Sequence, residues 1–338
     1  MAEEKEVTRS RIVAVGRPRS RRLVTNIVEL LQRRGHEVRF YEDSAAFAGG
    51  DLADADVLLA VSSFACTRAL MAPAENLRGV VSPTTGVEGF DIPAATERGI
   101  LVANGQLPEN VDGMAEATIL LILASLYDLR GAETILRQNL ARPAQASARL
   151  LGGKTVGMIG FGQIARAVAA RLAGWNVDIQ VFARRVPADA PEHVRFVGLE
   201  ALLRSSDVVC ILAALNSESL GLLNAARLRL LKPDAVLVNT ARGAIIDEAA
   251  LYDVARERPD LRLALDVFTE EPLSPQSQLR ELPNAILTPH MLGQTQESLA
   301  ALPEAAVENV ERILAGQLPR YVCNPDVIAR WQARWGAR

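Results

Sequence analysis

Apolar and polar positions alternate in blocks along most of this chain, and the blocks predict strands and helices in turn. Short apolar runs between polar turns are typical of buried parallel strands, and residues at helical spacing follow most of them. In the first third of the chain, the runs that predict strands are 11–16, 36–42, 56–61, 79–82 and 100–103. Helices are expected between them, for example at 67–75 and 92–98, so we predict an α/β domain with a parallel sheet covered on both faces.

A second series of strands follows, with further helices between them. The runs that predict these strands are 154–159, 177–182, 208–212, 235–239, 263–267 and 285–287. This series predicts a second doubly wound parallel sheet. A long, mostly apolar helix is expected at 111–129 and another from 294 to about 315.

Two segments lie outside these patterns. The polar segment 130–149 is either a surface linker or an arm used in subunit association, and the sequence leaves both interpretations open. The tail 319–338 is too short to fold alone. Because it carries Trp331 and Trp335, we expect it to pack back on the N-terminal domain.

The segment 154–169 reads as a strand that turns abruptly into a helix. Gly160, Gly162 and Ala165 match the G-x-G-x-x-G/A pattern at this turn. The glycines allow a tight turn and a close approach of a pyrophosphate to the main chain, while the small Ala165 lets the helix pack on the strand. The first N–H groups of the helix favour phosphate, so this turn predicts a dinucleotide site.

Composition excludes several classes of function. The 338 residues are 49% apolar and 23% charged, with a net charge of −3, which favours a globular protein without the basic surface of a nucleic-acid or anionic-membrane binder. The N-terminus lacks the apolar stretch of a secretory signal, and the apolar run 117–126 is too short to span a membrane, so a cytoplasmic protein is expected. The three cysteines are far apart, which predicts reduced, mostly buried thiols and no metal site.

Three later segments follow strand patterns, where ligands bind in open α/β sheets: 239–243, 266–272 and 288–290. They supply Arg242, whose planar fork can hold a carboxylate, and His290, whose imidazole can exchange a proton near neutral pH. Glu271 can accept a hydrogen bond from the second ring nitrogen and favour the protonated imidazole. Taken singly, each has an ordinary alternative: a surface ion pair, a packing histidine or an exposed turn. Taken together after a dinucleotide motif, they favour a site for a 2-oxo acid.

Over nearly its whole length, the chain resembles the D-isomer-specific 2-hydroxyacid dehydrogenase family. The matching segments are TGVEGFDIPAATERGILVAN (85–104), AEATILLILA (115–124), GKTVGMIGFGQIA (153–165), VNTARGAIID (238–247), ALDVFTEEPL (264–273) and LTPHMLGQTQES (287–298). The resemblance implies that Arg242 orients the substrate, that Glu271, which directly precedes proline, supports the histidine, and that His290 is the acid/base. It also implies that Asp266 lies near the nicotinamide carboxamide.

The resemblance further implies a Rossmann NAD(P)-binding domain, 113–299, inserted into a flavodoxin-like substrate domain made of 1–112 and 300–338. A cleft between the domains that closes by a hinge motion is expected, as is a homodimer. The residues expected to contact the substrate are Ser62, Ser63 and Phe64, through their main chain, with Thr85 and Gly86. The residues expected to bind the cofactor are Gly160, Gly162, Gln163, Ile164, Ala183, Arg184, Arg185, Ala241 and Asp266.

The chain departs from the family pattern at two places. Ala183 stands where an acidic residue usually binds the ribose 2′-hydroxyl of NAD, and Arg184 and Arg185 follow it, which favours NADP over NAD. The alternative is that the two arginines form a solvated turn and that NAD still binds. Leu212 and Ala214 replace a histidine and a proline that often contact the nicotinamide.

The sequence therefore predicts an oxidoreductase that interconverts a 2-oxo acid and a D-2-hydroxy acid by hydride transfer. The alternative is a dinucleotide-sensing corepressor-like protein without significant turnover. Formate or phosphite oxidation is a further possibility, although the formate branch of the resemblance has glutamine in place of Glu271. The side chain of the substrate stays open: Phe64 favours a bulky apolar group and Arg68 favours an anionic one. His36 and His193 are expected to be solvated.

Overall fold

The computed structural model describes residues 11–18 and 20–336, and strands and helices alternate along them as predicted. The segment 1–10, where no secretory signal is expected, lies outside the described residues. The strands are β1 (Arg11–Val15), β2 (Glu37–Tyr41), β3 (Val57–Ala60), β4 (Gly79–Val81), β5 (Leu101–Ala103), β6 (Thr155–Ile159), β7 (Asp178–Phe182), β8 (Val194–Phe196), β9 (Val208–Ile211), β10 (Val236–Asn239), β11 (Arg262–Leu265) and β12 (Ala285–Leu287). The helices are α1 (Arg21–Arg33), α2 (Arg68–Met71), α3 (Ile92–Glu97), α4 (Pro108–Leu126), α5 (Leu129–Arg137), α6 (Gln163–Leu172), α7 (Leu199–Ser205), α8 (Ala225–Leu228), α9 (Glu248–Glu257), α10 (Gln296–Leu314) and α11 (Ile328–Trp335).

The described residues form two compact units. Unit 1 comprises those up to Glu109 and those from Gln296 onward, and unit 2 is Asn110–Thr295. The division expected from the sequence, 1–112 with 300–338 against 113–299, and the substrate and cofactor roles that go with it, stay predictions.

Unit 1 is built on a parallel five-stranded sheet with the strand order β2-β1-β3-β4-β5, as in flavodoxin-like folds. Successive residues of each strand point to opposite faces of the sheet, and helices pack on both faces. Ile12 and Ala14 of β1 pack under α1 and α10, whereas Val13 and Val15 pack with residues of α2 and α3 on the other face. The apolar strand runs are therefore explained by burial on both sides.

The C-terminal tail contributes to the core of unit 1, as the sequence predicts. The Trp331 side chain in α11 is fully buried, and its indole N–H donates to the main-chain oxygen of Arg78 at 2.8 Å. The tail thus packs on the N-terminal part of the chain.

Unit 2 contains a parallel seven-stranded sheet with the order β12-β11-β10-β9-β6-β7-β8. The direction in which successive strands are added reverses between β6 and β9, which makes this the switch point where ligands bind in doubly wound sheets. Buried apolar side chains pack on both faces, including Val156 and Val238 on one side and Val209 and Leu237 on the other. The predicted fold class, two doubly wound parallel-sheet domains, is confirmed.

Several local expectations differ from the structure. The segment 130–149 is not irregular throughout, because α5 covers its first part. Strand β8 was not expected, since it is a three-residue edge strand with one buried residue, Val194. The helix expected at 67–75 is reduced to the single turn of α2. In the part of the chain that the structure describes, no helix has both the length and the apolar character required to cross a membrane.

Candidate active site

The turn between β6 and α6 lies at the switch point of unit 2. Gly160 adopts φ +97°, and its N–H donates to the oxygen of Phe182 at the end of β7 at 2.8 Å. A Cβ on Gly160 would lie 2.7 Å from the Cα of Ala213, two residues after β9, so only glycine fits between these strand ends. Ala165 is a fully buried residue of α6, and its small side chain allows the helix to pack closely on the sheet.

This turn fits the pyrophosphate of a dinucleotide. A Cβ built on Gly162 would meet no atom within 4 Å, so the main chain is open to a ligand in front of the helix. The first N–H groups of a helix have no partner within the helix and favour an anion. Gln163 and Ile164 form the first turn of α6, where Gln163 is exposed and Ile164 is partly buried against the sheet.

The buried carboxylate of Asp266 fits the nicotinamide end of such a dinucleotide. Asp266 is fully buried after β11, and among the described residues its Oδ2 has no hydrogen-bond partner. A carboxamide NH₂ group is a donor of the kind that such an oxygen requires. Burial raises the pKa of Asp266, and the hydrogen bonds from Thr288 and Met291 and the charge of His290 offset this effect only in part.

His290 and Glu271 form a hydrogen-bonded pair. The Nδ1 of His290 lies 2.7 Å from Oε2 of Glu271, and Oε1 of the same carboxylate accepts the N–H of Phe268 at 3.1 Å. Burial by itself raises the pKa of Glu271, but the hydrogen bonds from His290 and Phe268 and the charges of His290 and Arg242 lower it below its usual value. Glu271 is therefore an ionised acceptor that fixes the imidazole ring and leaves Nε2 available.

The main chain at His290 is held in an uncommon conformation. His290 has φ +51°, a left-handed value that costs a non-glycine residue about 1–3 kcal/mol unless its surroundings impose it. Oδ1 of Asp266 accepts the hydroxyl of Thr288 at 2.7 Å and the N–H of Met291 at 3.2 Å. The buried carboxylate of Asp266 thus fixes the main chain by hydrogen bonds to residues on both sides of His290. Sequence reasoning did not single out Thr288, although it lies two residues before His290 in a quoted motif.

Arg242 follows β10, and the loop that carries it packs against the loop that carries Glu271. Its guanidinium is half-buried, donates to the oxygen of Ala241 at 2.7 Å and acts electrostatically on Glu271. A Cβ on Gly243 would lie 2.0 Å from the carbonyl carbon of Phe268, so the approach of the two loops requires glycine. The structure therefore brings the cation, the carboxylate and the imidazole to one edge of the sheet.

The residues expected to distinguish NADP from NAD lie beyond the end of β7. Ala183 is half-buried, and Arg184 is exposed and forms an ion pair with Glu218 at 2.8 Å. Arg185 is exposed and has no ion pair among residues 11–18 and 20–336. Leu212, directly after β9, is partly buried and packs on the core.

In unit 1, the segments expected to contact the substrate lie against each other at the carboxyl ends of β3 and β4. A Cβ on Gly89 would lie 2.3 Å from the oxygen of Phe64 and 2.4 Å from that of Ser62. The carbonyl oxygens of these segments are hydrogen-bonded within the unit: Ser62 accepts Gly89 N–H, Ser63 the Arg17 guanidinium, Thr85 the Asn104 amide and Gly86 the Ser82 hydroxyl.

Two expectations about side chains, those for Phe64 and His36, are corrected. Phe64 is only 5% exposed and packs edge-to-face on Phe47, so its ring belongs to the core and gives no support for a bulky substrate. Arg68 forms an exposed ion pair with Glu97 at 2.5 Å, and its preference for an anionic substrate group stays a prediction. His36 is partly buried beside Glu311 at 3.2 Å, because α10 covers it, whereas His193 is exposed as expected.

The three cysteines, Cys66, Cys210 and Cys323, are free thiols, of which the first two are buried. Burial raises the pKa of the Cys66 and Cys210 thiols to about 12. Among the described residues, no group of three or more histidine, cysteine, aspartate or glutamate side chains is arranged to hold a metal ion.

Comparison with known proteins decides the family. Residues 119–291 match the model of the D-isomer specific 2-hydroxyacid dehydrogenase, NAD binding domain. A glyoxylate reductase of Thermofilum pendens is 34% identical over 302 residues, which cover 87% of this chain and 88% of the relative. The chain belongs to the D-isomer specific 2-hydroxyacid dehydrogenase family. It is thus an enzyme of the NAD(P)-dependent 2-hydroxyacid dehydrogenase and reductase class, as the sequence predicts.

Solved structures of this class are similar over almost the whole chain. One is the NADPH-dependent glyoxylate/hydroxypyruvate reductase from Sinorhizobium meliloti in complex with NADP and malonate, with TM-score 0.81, 27% identity and coverage of 95% of this chain and 98% of that one. Another is the NAD-dependent formate dehydrogenase from Staphylococcus aureus in complex with NAD, with TM-score 0.76, 27% identity and coverage of 89% and 95%. Both cofactors occur among these structures, so they leave the preference of this chain open. The comparisons give no support to a corepressor-like protein.

Proposed function

We propose that this 2-hydroxyacid dehydrogenase interconverts a 2-oxo acid and a D-2-hydroxy acid, with His290 as the acid/base and Arg242 binding the substrate carboxylate. The observation that carries the proposal is the 2.7 Å hydrogen bond between His290 Nδ1 and Glu271, beside a half-buried guanidinium. An oriented imidazole and a planar cation are the groups that a 2-oxo acid requires.

Each residue has a defined part in the reduction. Arg242 holds the carboxylate of the 2-oxo acid, which places the neighbouring carbonyl near the imidazole. Protonated His290 donates its Nε2 proton to the carbonyl oxygen, and the ionised Glu271 stabilises the positive charge of the ring before that transfer. In the reverse direction, neutral His290 accepts the hydroxyl proton. A bound nicotinamide cofactor supplies or accepts the hydride.

For the cofactor, the fit of Gly160, Gly162 and Asp266 supports a nicotinamide dinucleotide. We favour NADP modestly, because Ala183 leaves no carboxylate at the end of β7 and two arginines follow it. Measuring the dissociation constants of NADPH and NADH by fluorescence tests this preference. Tighter binding of NADH would overturn it.

The predicted homodimer is supported by apolar side chains around α5. Leu136 is 83% exposed and Leu150 is 69% exposed, which is typical of a surface that a second copy covers. Multi-angle light scattering at micromolar concentration should give twice the 36.5 kDa mass of the chain. A mass of one chain would contradict this part of the proposal.

Consumption of NADPH and NADH by the purified protein with a panel of 2-oxo acids tests the reaction. The panel comprises glyoxylate, hydroxypyruvate, phenylpyruvate, 2-oxoisocaproate, 2-oxoglutarate and phosphohydroxypyruvate. Turnover with at least one acid is the expected result, and a product with a stereocentre, which the product of glyoxylate lacks, should be the D-hydroxy acid on a chiral column. Bound cofactor without turnover of any acid, or an L-product, would contradict the proposal.

A further inference from the structure

An ion pair joins the two loops that flank the dinucleotide turn. Gly160 lies between the end of β7, where its N–H donates to the oxygen of Phe182, and the start of the loop after β9, where Ala213 approaches it. Arg184 comes two residues after β7, and Glu218 lies in the loop after β9. The Nη1 of Arg184 and Oε2 of Glu218 are 2.8 Å apart, so the pair connects the two sides of the cofactor turn.

Glu218 is held in place by its own loop. The side-chain oxygen of Asn216 accepts the N–H groups of Glu218 and Ser219 at 2.9 and 3.1 Å. The hydroxyl of Ser219 donates to the oxygen of Ala214 at 2.8 Å and accepts the N–H of Asn216 at 2.8 Å. The loop is therefore a fixed turn, and the carboxylate is presented from a defined position.

The ion pair is weak enough for a ligand to replace it. The side chains of Arg184 and Glu218 are 69% and 64% exposed, and solvent screens a pair of this kind. Arg184 is also one of the two arginines that, in the proposed function, face the 2′-phosphate of NADP. The carboxylate of Glu218 therefore competes with the phosphate for one guanidinium and adds a like charge beside it.

We propose that Glu218 is a specificity-determining residue that weakens the binding of the 2′-phosphorylated cofactor. The proposal deepens the proposed function, because it rests on the cofactor site described there. NADH carries no 2′-phosphate and does not compete for Arg184 in this way. The effect of Glu218 is thus expected on NADPH and not on NADH.

The test is the dissociation constant of each cofactor, measured by fluorescence titration at low ionic strength, for the wild type and the Glu218→Gln variant. The variant should bind NADPH about two- to fivefold more tightly, the range expected for one exposed charge pair, and bind NADH as the wild type does. In an Arg184→Gln background, the same substitution should have a smaller effect on NADPH.

The matched control is Asp178→Asn, which removes the 50% exposed carboxylate partner of an arginine, Arg195, at the opposite end of β7. It should leave both dissociation constants unchanged. An unchanged NADPH constant in Glu218→Gln, or equal changes for both cofactors, would overturn the role of Glu218 while the proposed function stands. Wild-type protein that binds neither cofactor would instead overturn the proposed function and this inference with it.

Discussion

Replacing Glu271 by glutamine tests the acid/base pair with the least change in size. The carboxylate lies 2.7 Å from Nδ1 of His290 and stabilises the protonated ring. A hydrogen bond to a charged group contributes about 1.5–3 kcal/mol in general. The His290 side chain is 46% exposed, so screening reduces the value. We take about 1.4 kcal/mol, which corresponds to a tenfold change in rate.

The sign of the effect follows from the charge that the ring carries during the reduction. Proton donation to the carbonyl oxygen requires a positively charged His290, and the Glu271 carboxylate stabilises that charge. The neutral amide of glutamine stabilises it less, so kcat/KM for the reduction should fall about tenfold.

The assay is kcat/KM for NADPH consumption with the best 2-oxo acid. Glu270→Gln is the matched control, because this exposed neighbour loses the same charge and should leave kcat/KM unchanged. A Glu271→Gln variant with the wild-type kcat/KM, or a higher one, would refute the reasoning. Unchanged cofactor affinity confirms that the variant is folded.

Three further substitutions test the packing around the site and the core. Gly243→Ala places a Cβ against the main chain of Phe268. We expect a loss of about 3 kcal/mol in the free energy of unfolding, measured by denaturation, and a large fall in kcat. Wild-type values for both would contradict the close approach of the two loops. Trp331→Ala removes a fully buried side chain and should lower the free energy of unfolding in urea by about 3–5 kcal/mol. Trp175→Ala, at a 43% exposed position, should lower it by less than about 1 kcal/mol. Equal losses would contradict the burial of Trp331. The pKa of Asp207 is lowered, since two hydrogen bonds and nearby lysines outweigh its burial. Asp207→Asn should therefore lower the free energy of unfolding above about pH 4, and its difference from the wild type should close as pH falls below that value. A difference that persists in acid would argue against an ionised Asp207.

The fold was largely predictable because burial controls it. The runs 208–212 and 235–239 are apolar except for Asn239, and the structure shows strands buried on both faces within them. Strand β8 could not be predicted, because an edge strand of three residues needs only one buried side chain. The helix α5 was not expected either, and none of its residues is buried within the chain.

The site was predictable as far as residue type follows from a motif. The pairing of His290 with Glu271 is confirmed as a contact, whereas the catalytic roles stay predictions. The roles of Gly243 and Glu218 depend on which loops approach each other in three dimensions, and no local pattern records that approach. The left-handed conformation of His290 could not be predicted for the same reason, because the buried Asp266, more than twenty residues earlier, imposes it.

The most direct test of the account is a single turnover measured by rapid mixing of NADPH-loaded enzyme with the best 2-oxo acid. For His290→Ala, we predict a rate of NADPH oxidation at least about 100-fold below that of the wild type, with unchanged NADPH affinity. His193→Ala, which alters an exposed histidine of the same unit, should react at the wild-type rate. A His290→Ala rate close to that of the wild type would contradict the assignment of the proton transfer to this histidine.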